Sequence, residues 1–137
     1  SKKKYDIFIS HSYLDKDLVK NMKNTINFLN LSCYYDWTSD QDFLKRNLIS
    51  DYTKEVLKKR IEQSKALILV LTHNVIADGE ITSEWIKMEI EHAKSVGKKI
   101  CCLNFTDLGH QFINIEFQYE GNSISISKNG VQLLTNL

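Results

Sequence analysis

Short continuous apolar runs alternate along this chain with longer stretches whose apolar residues recur at steps of three and four. There is no proline to punctuate the sequence, so periodicity carries the reading. "YDIFIS" (5–10) predicts a first strand. Leu14, Leu18, Met22, Ile26 and Leu29 then predict a helix from Asp15 to Asn30, with Asp15 as its N-cap. "LSCYYDW" (31–37) reads as a second strand, and the polar stretch "TSDQDFLKRNLIS" leads to a helix from Asp51 to Gln63. "KALILVLT" (65–72) is the most apolar run, of the kind buried on both faces. The loop "HNVIADGEI" leads to a helix over "TSEWIKMEIEHAKSVG" (82–97), closed by Gly97 as a C-cap glycine. "KKICCLNF" (98–105) is a fourth strand. "NSISISKNGVQLL" (122–134) predicts a fifth strand, or a hairpin turning at Asn129–Gly130. "DLGHQFINIEFQYEG" (107–121), where a crossover helix would belong, reads as irregular.

Alternating strands and helices predict an α/β domain with a mainly parallel sheet and right-handed crossovers. Such sheets bind ligands outside the carboxyl ends of their strands. Those ends carry Ser10, His11 and Ser12 after the first strand, Asp36 and Trp37 after the second, and Thr72 and His73 after the third. Hydroxyls, an imidazole and aromatic faces therefore gather on one rim.

The helix after the third strand breaks its own pattern. Met88, Trp85, Val96, Ala93, Ile86 and Ile90 fall within an arc of roughly 200°. Glu89 lies inside that arc, about 40° round from Trp85 and one turn on. A carboxylate facing a core is costly unless it is paired or neutral. Three outcomes are open: a structural partner, a helix rotated to bring Glu89 to solvent, or a cleft in which the acid works.

Length and composition narrow the classes. At 137 residues the chain is expected to be one domain, residues 1–137, with a real core. A formal net charge of +1 gives no basic surface for nucleic acid. No apolar run approaches a membrane span, so no membrane partner is expected, and no signal-peptide pattern precedes the first strand. Cys33, Cys101 and Cys102 all lie in strand-like runs; an odd count with two adjacent is no disulfide framework, and they read as core residues of a reducing, cytoplasmic compartment. His11, His73, His92 and His110 have no ligand spacing, so no metal site is expected. GxGxxG and GxxxxGK[ST] signatures are missing, as is a legible Ser-His-Asp arrangement.

Four segments, in order, resemble the boxes of Toll/interleukin-1 receptor (TIR) domains: "YDIFISHSYLDKD", "YYDWTSDQDFLKRN" followed by "KRIEQSKALILVLT", "ALILVLTHNV", and "SEWIKMEIEHA" with its tryptophan–x–x–x–glutamate spacing. The resemblance is strongest over residues 5–107 and is closest to small stand-alone prokaryotic TIR proteins of antiphage defence, of the Thoeris-like kind. It implies a flavodoxin-like three-layer sandwich with a five-stranded, mainly parallel sheet in the order 2-1-3-4-5. It implies an NAD+ nucleosidase, with Glu89 catalytic and Ser10, His11, Asp36, Trp37 and Trp85 binding substrate. NAD+ is then the substrate and no other cofactor is called for; the product is ADP-ribose or a cyclic isomer, an immune signal for a separate effector. The loop of about residues 36–50, the BB loop, is implied to close over substrate and to pack on a second copy. Receptor TIR domains often carry proline and glycine there; this chain has neither. A non-catalytic scaffold acting by self-association is the rival expectation.

Overall fold

The structure is a computed structural model that describes residues 4–35, 50–121 and 123–137. Its elements run β1 (Tyr5–Ser10), a 3-10 turn (Tyr13–Asp15), α1 (Lys16–Phe28), β2 (Cys33–Tyr34), α2 (Ser50–Glu62), β3 (Ser64–Leu71), the hairpin β4 (Ile76–Ala77) and β5 (Glu80–Ile81), α3 (Glu84–Ser95), β6 (Lys99–Asn104), β7 (Ile113–Asn114), the hairpin β8 (Phe117–Glu120) and β9 (Ser123–Ile126), and α4 (Lys128–Thr135).

Five strands form one sheet in the order β2-β1-β3-β6-β7, every neighbouring pair parallel. The expected fold class therefore holds, and the order nearly matches 2-1-3-4-5. Strand parity divides the core in two. Ile7, Ile9, Ile68, Val70, Cys101 and Leu103 face one side, packed with Val19, Met22 and Ile26 of α1 and Leu134 of α4. Phe8, Leu67, Leu69, Leu71, Ile100 and Cys102 face the other, packed with Leu57 and Ile61 of α2 and Trp85, Ile86, Ile90 and Ala93 of α3. Both faces of the sheet are covered, which is why β3 reads as an unbroken apolar run.

The last third of the chain departs from expectation. The fifth sheet position is taken by Ile113–Asn114, which pairs with Cys101 and Cys102. "SISI" instead pairs antiparallel with Phe117–Glu120 outside the main sheet. Asn129 and Gly130 do not turn a hairpin; they lie in α4, whose N-cap Ser127 accepts a hydrogen bond from Gly130 N–H. The glycine serves close approach: a Cβ there would come within 2.6 Å of Ile126 Cγ2 and 2.8 Å of the Glu116 carbonyl.

Two details of α1 also differ. Leu14 is exposed, and the buried stripe runs through Asp15, Val19, Met22 and Ile26, because the chain enters the helix through a 3-10 turn. Asp15 holds the N-cap position but makes no capping hydrogen bond. At the far end of α3, Gly97 (φ 74°) takes the left-handed position, with Lys98 N–H on the Ala93 carbonyl and Gly97 N–H on that of Lys94. That is the Schellman closure its position predicts. Among the described residues no helix is long and apolar enough to cross a membrane.

Candidate active site

Chain order in the sheet reverses at β1, which lies between β2 and β3. The carboxyl ends of β1 and β3 therefore flank the switch point, the place where α/β sheets hold ligands. Parity decides what faces it. Ser10 shares the Phe8 side of β1, toward α3, and pairs in register with Leu69.

From that position the Ser10 hydroxyl donates to Glu89 Oε1 at 2.7 Å. Ser10 is fully buried and Glu89 is 5% exposed. The buried face of α3 is Trp85, Ile86, Glu89, Ile90 and Ala93, so the helix is not rotated to bring Glu89 to water. Val96, expected in the apolar arc, sits exposed at the C-cap. Of the three outcomes left open by spacing, rotation is excluded. Glu89 has a hydroxyl partner, and that partner stands at the tip of β1.

Trp85, one turn before Glu89, is 8% exposed and packed with Phe8, Leu57, Leu71 and Val75. The ammonium of Lys54 lies 5.9 Å from its ring centroid, a cation–π distance. The tryptophan is thus a wall that backs the site, most of its surface already in contact. His11 is half-buried, and its Nδ1 lies 2.8 Å from the Ser12 carbonyl. A carbonyl only accepts, so Nδ1 carries the proton and Nε2 is the acceptor in the neutral ring. Asp36, Trp37 and residues 36–49 of the BB loop lie outside the described residues. Tyr34 and Tyr35, at the end of β2, part to opposite faces as strand alternation requires. Tyr34 stacks on Phe8 with centroids 5.5 Å apart, and Tyr35 packs on the α1 side under Lys23.

A second acidic side chain, which periodicity assigned only a capping role, belongs to the same rim. Asp15 is 9% exposed. Its Oδ2 accepts from Thr72 Oγ1 at 2.6 Å and its Oδ1 from Asn74 Nδ2 at 2.8 Å, while Thr72 Oγ1 accepts from Asn74 N–H at 3.1 Å. The stripe that identifies Asp15 runs through Val19, not Leu18; read that way, it is an acid in an apolar stripe just as Glu89 is.

The cysteines offer no competing nucleophile. Burial pushes the Cys33 and Cys102 thiols up to about 12 and that of Cys101 up to about 11, far from the thiolate a nucleophile needs.

Comparison with known proteins covers most of the chain. The family model described as Thoeris protein ThsB, TIR-like domain, matches residues 8–108. The chain is 44% identical over 126 residues to the putative cyclic ADP-D-ribose synthase TIR2 of Cytobacillus dafuensis, covering 91% of this chain and 32% of the relative. It is 33% identical over 99 residues to the probable 3' cyclic ADP-D-ribose synthase ThsB' of Bacillus cereus strain MSX-D12, covering 72% of this chain and 48% of the relative. It therefore spans less than half the length of either relative.

Proposed function

The chain belongs to the Thoeris ThsB TIR-like domain family, and on that premise we propose that it cleaves the nicotinamide–ribose bond of NAD+ and closes the rest of the molecule into a cyclic ADP-ribose isomer, with ADP-ribose as the product of water attack. Both relatives carry cyclic ADP-D-ribose synthase in their names. The observation that carries the reading is Glu89: an acid 5% exposed, at the switch point of the sheet, held by a strand-tip hydroxyl.

Nicotinamide in NAD+ is a pyridinium, so the C1–N bond breaks with its electron pair on nitrogen and the leaving group departs neutral. No general acid is required. Positive charge develops on the ribose, as in glycoside hydrolysis. An ionised Glu89 in a poorly hydrated site stabilises that charge more than it stabilises the uncharged sugar of the ground state. Ser10 takes part by orienting the carboxylate, since its hydroxyl is directed at Oε1 and it has no exposed surface. Trp85 backs the acid, and His11, Asp36 and Trp37 are assigned to substrate. Cyclisation replaces water by an adenine nitrogen or a ribose hydroxyl of the same molecule, and an attacking hydroxyl releases its proton as the new bond forms. Holding that group about 3–3.5 Å from C1 makes the intramolecular route faster than attack by water.

Residues 1–137 act in this reading as one TIR domain in the cytoplasm, where NAD+ is abundant and the free thiols of Cys33, Cys101 and Cys102 stay reduced. The BB loop of about 36–50 mediates self-association, and the product signals to a separate effector in antiphage defence. Incubation with NAD+ followed by mass spectrometry tests the reaction. The expected result is nicotinamide plus a species one water lighter than ADP-ribose; intact NAD+ at high protein concentration rejects the activity and leaves the scaffold.

A further inference from the structure

We propose that Asp15 is a positioning residue for the NAD+ cleft: through Thr72 and Asn74 it fastens the loop after β1 to the loop after β3, and so sets where His11 stands. This rests on the function proposed above.

The first support is what Asp15 forgoes. A carboxylate at a helix N-cap ordinarily takes a backbone N–H of the first turn. Asp15 takes none, and Ser12 caps the preceding 3-10 turn through Leu14 N–H instead. Both Asp15 oxygens go to the far loop, to Thr72 at 2.6 Å and Asn74 at 2.8 Å. No lysine, arginine or histidine pairs with it among the described residues.

Topology supplies the second support. Thr72 follows Leu71 and shares the α1 side of the sheet with Ile68 and Val70, whereas Ser10 shares the α3 side with Phe8. The hydroxyl at the tip of β1 thus holds an acid on the helix that follows β3, and the hydroxyl at the tip of β3 holds an acid at the start of the helix that follows β1. The two ties cross the switch point on opposite faces. Residues 11–14, which include His11, are fixed at one end by β1 and at the other by this latch. Glu89 is oriented by the other tie. Loss of the latch therefore loosens the loop that meets substrate while leaving the acid in place, which separates binding from chemistry.

The test is steady-state nicotinamide release by the wild type, Thr72→Val and Thr72→Ser, at one protein concentration across a range of NAD+. Thr72→Val removes the donor at nearly constant shape and is expected to raise KM about tenfold with kcat within about threefold of wild type. Thr72→Ser restores the hydroxyl and is expected to restore KM. A Thr72→Val protein with unchanged KM and a kcat lowered in step with its folded fraction overturns the proposal, because that is what a purely structural bond would do. Should the wild type release no nicotinamide, the function falls separately, and amide hydrogen exchange decides the latch. Exchange of residues 11–15 about tenfold faster in Thr72→Val than in wild type, at matched global stability, sustains it; equal exchange overturns it.

Discussion

Ser10 and Thr72 stand at the tips of neighbouring parallel strands and face opposite sides of the sheet, each donating a hydrogen bond to a buried carboxylate on the other's crossover. Both acids interrupt apolar helical stripes, which is costly unless the carboxylate is satisfied. Satisfying them from the strand tips turns that cost into a constraint. The loops and helices around the switch point are held to β1, β3 and β6, the strands buried on both faces.

Ser10→Ala removes the donor and leaves Glu89 Oε1 facing a methyl group. A hydrogen bond to a charged acceptor contributes about 1.5–3 kcal/mol, and unfolding in urea is expected to show a loss of that order. Nicotinamide release is expected to fall about tenfold or more, because the acid loses its fixed orientation. Ser10→Thr keeps a hydroxyl and is expected to retain more of both. Equal rates for Ser10→Ala and wild type would remove the orienting role.

Gly130→Ala reverses the usual effect of adding a methyl to a helix. Helix propensity favours alanine by about 1 kcal/mol. Here the new Cβ meets Ile126 Cγ2 at 2.6 Å, the Glu116 carbonyl at 2.8 Å and Ile115 Cγ2 at 3.1 Å. A backbone carbonyl cannot step aside as a side-chain end can, so overpacking of about 1–3 kcal/mol prevails and the melting temperature falls. A rise in melting temperature would show that α4 does not lie against Glu116.

Not all of this was legible from the sequence. β1, β3 and β6 stand out because strands buried on both faces need continuous apolar runs. Glu89 stands out because it breaks a helical arc. Asp15 stayed hidden because Leu14 and Leu18 suggested a stripe displaced by one residue, which the 3-10 turn corrects. Strand parity within "YDIFIS" and "KALILVLT" suffices to send Ser10 and Thr72 to opposite faces, but not to say which acid waits there. The C-terminal third misled: alternation in "SISI" specifies a half-buried strand without specifying its sheet, and Asn129–Gly130 has the composition of a turn although the glycine is there for close packing. Asp36 and Trp37, which the family resemblance assigns to substrate, lie outside the described residues.

The thiols give a pH dependence with a definite sign. Burial raises Cys33, Cys101 and Cys102 from 9.0 to about 12, 11 and 12, so the folded state favours the neutral thiol. Their contribution to stability is complete below the unfolded value of 9.0 and is lost as pH rises toward 11–12. Denaturant midpoints are expected to fall through that alkaline window. At pH 8, a disulfide-exchange reagent should label the native protein slowly and all three thiols at once after unfolding. Rapid native labelling of Cys101 or Cys102 would contradict their placement in the sheet.

A buried carboxylate at the switch point that carries the chemistry must act through its charge. Glu89→Gln keeps shape and a hydrogen-bonding oxygen for Ser10 while removing the charge. Nicotinamide release from NAD+, measured on wild type and Glu89→Gln at equal concentration with matched melting and self-association, tests it most directly. A loss of about 100-fold or more is expected in the variant. Release at the wild-type rate by a folded, assembled Glu89→Gln protein would contradict it.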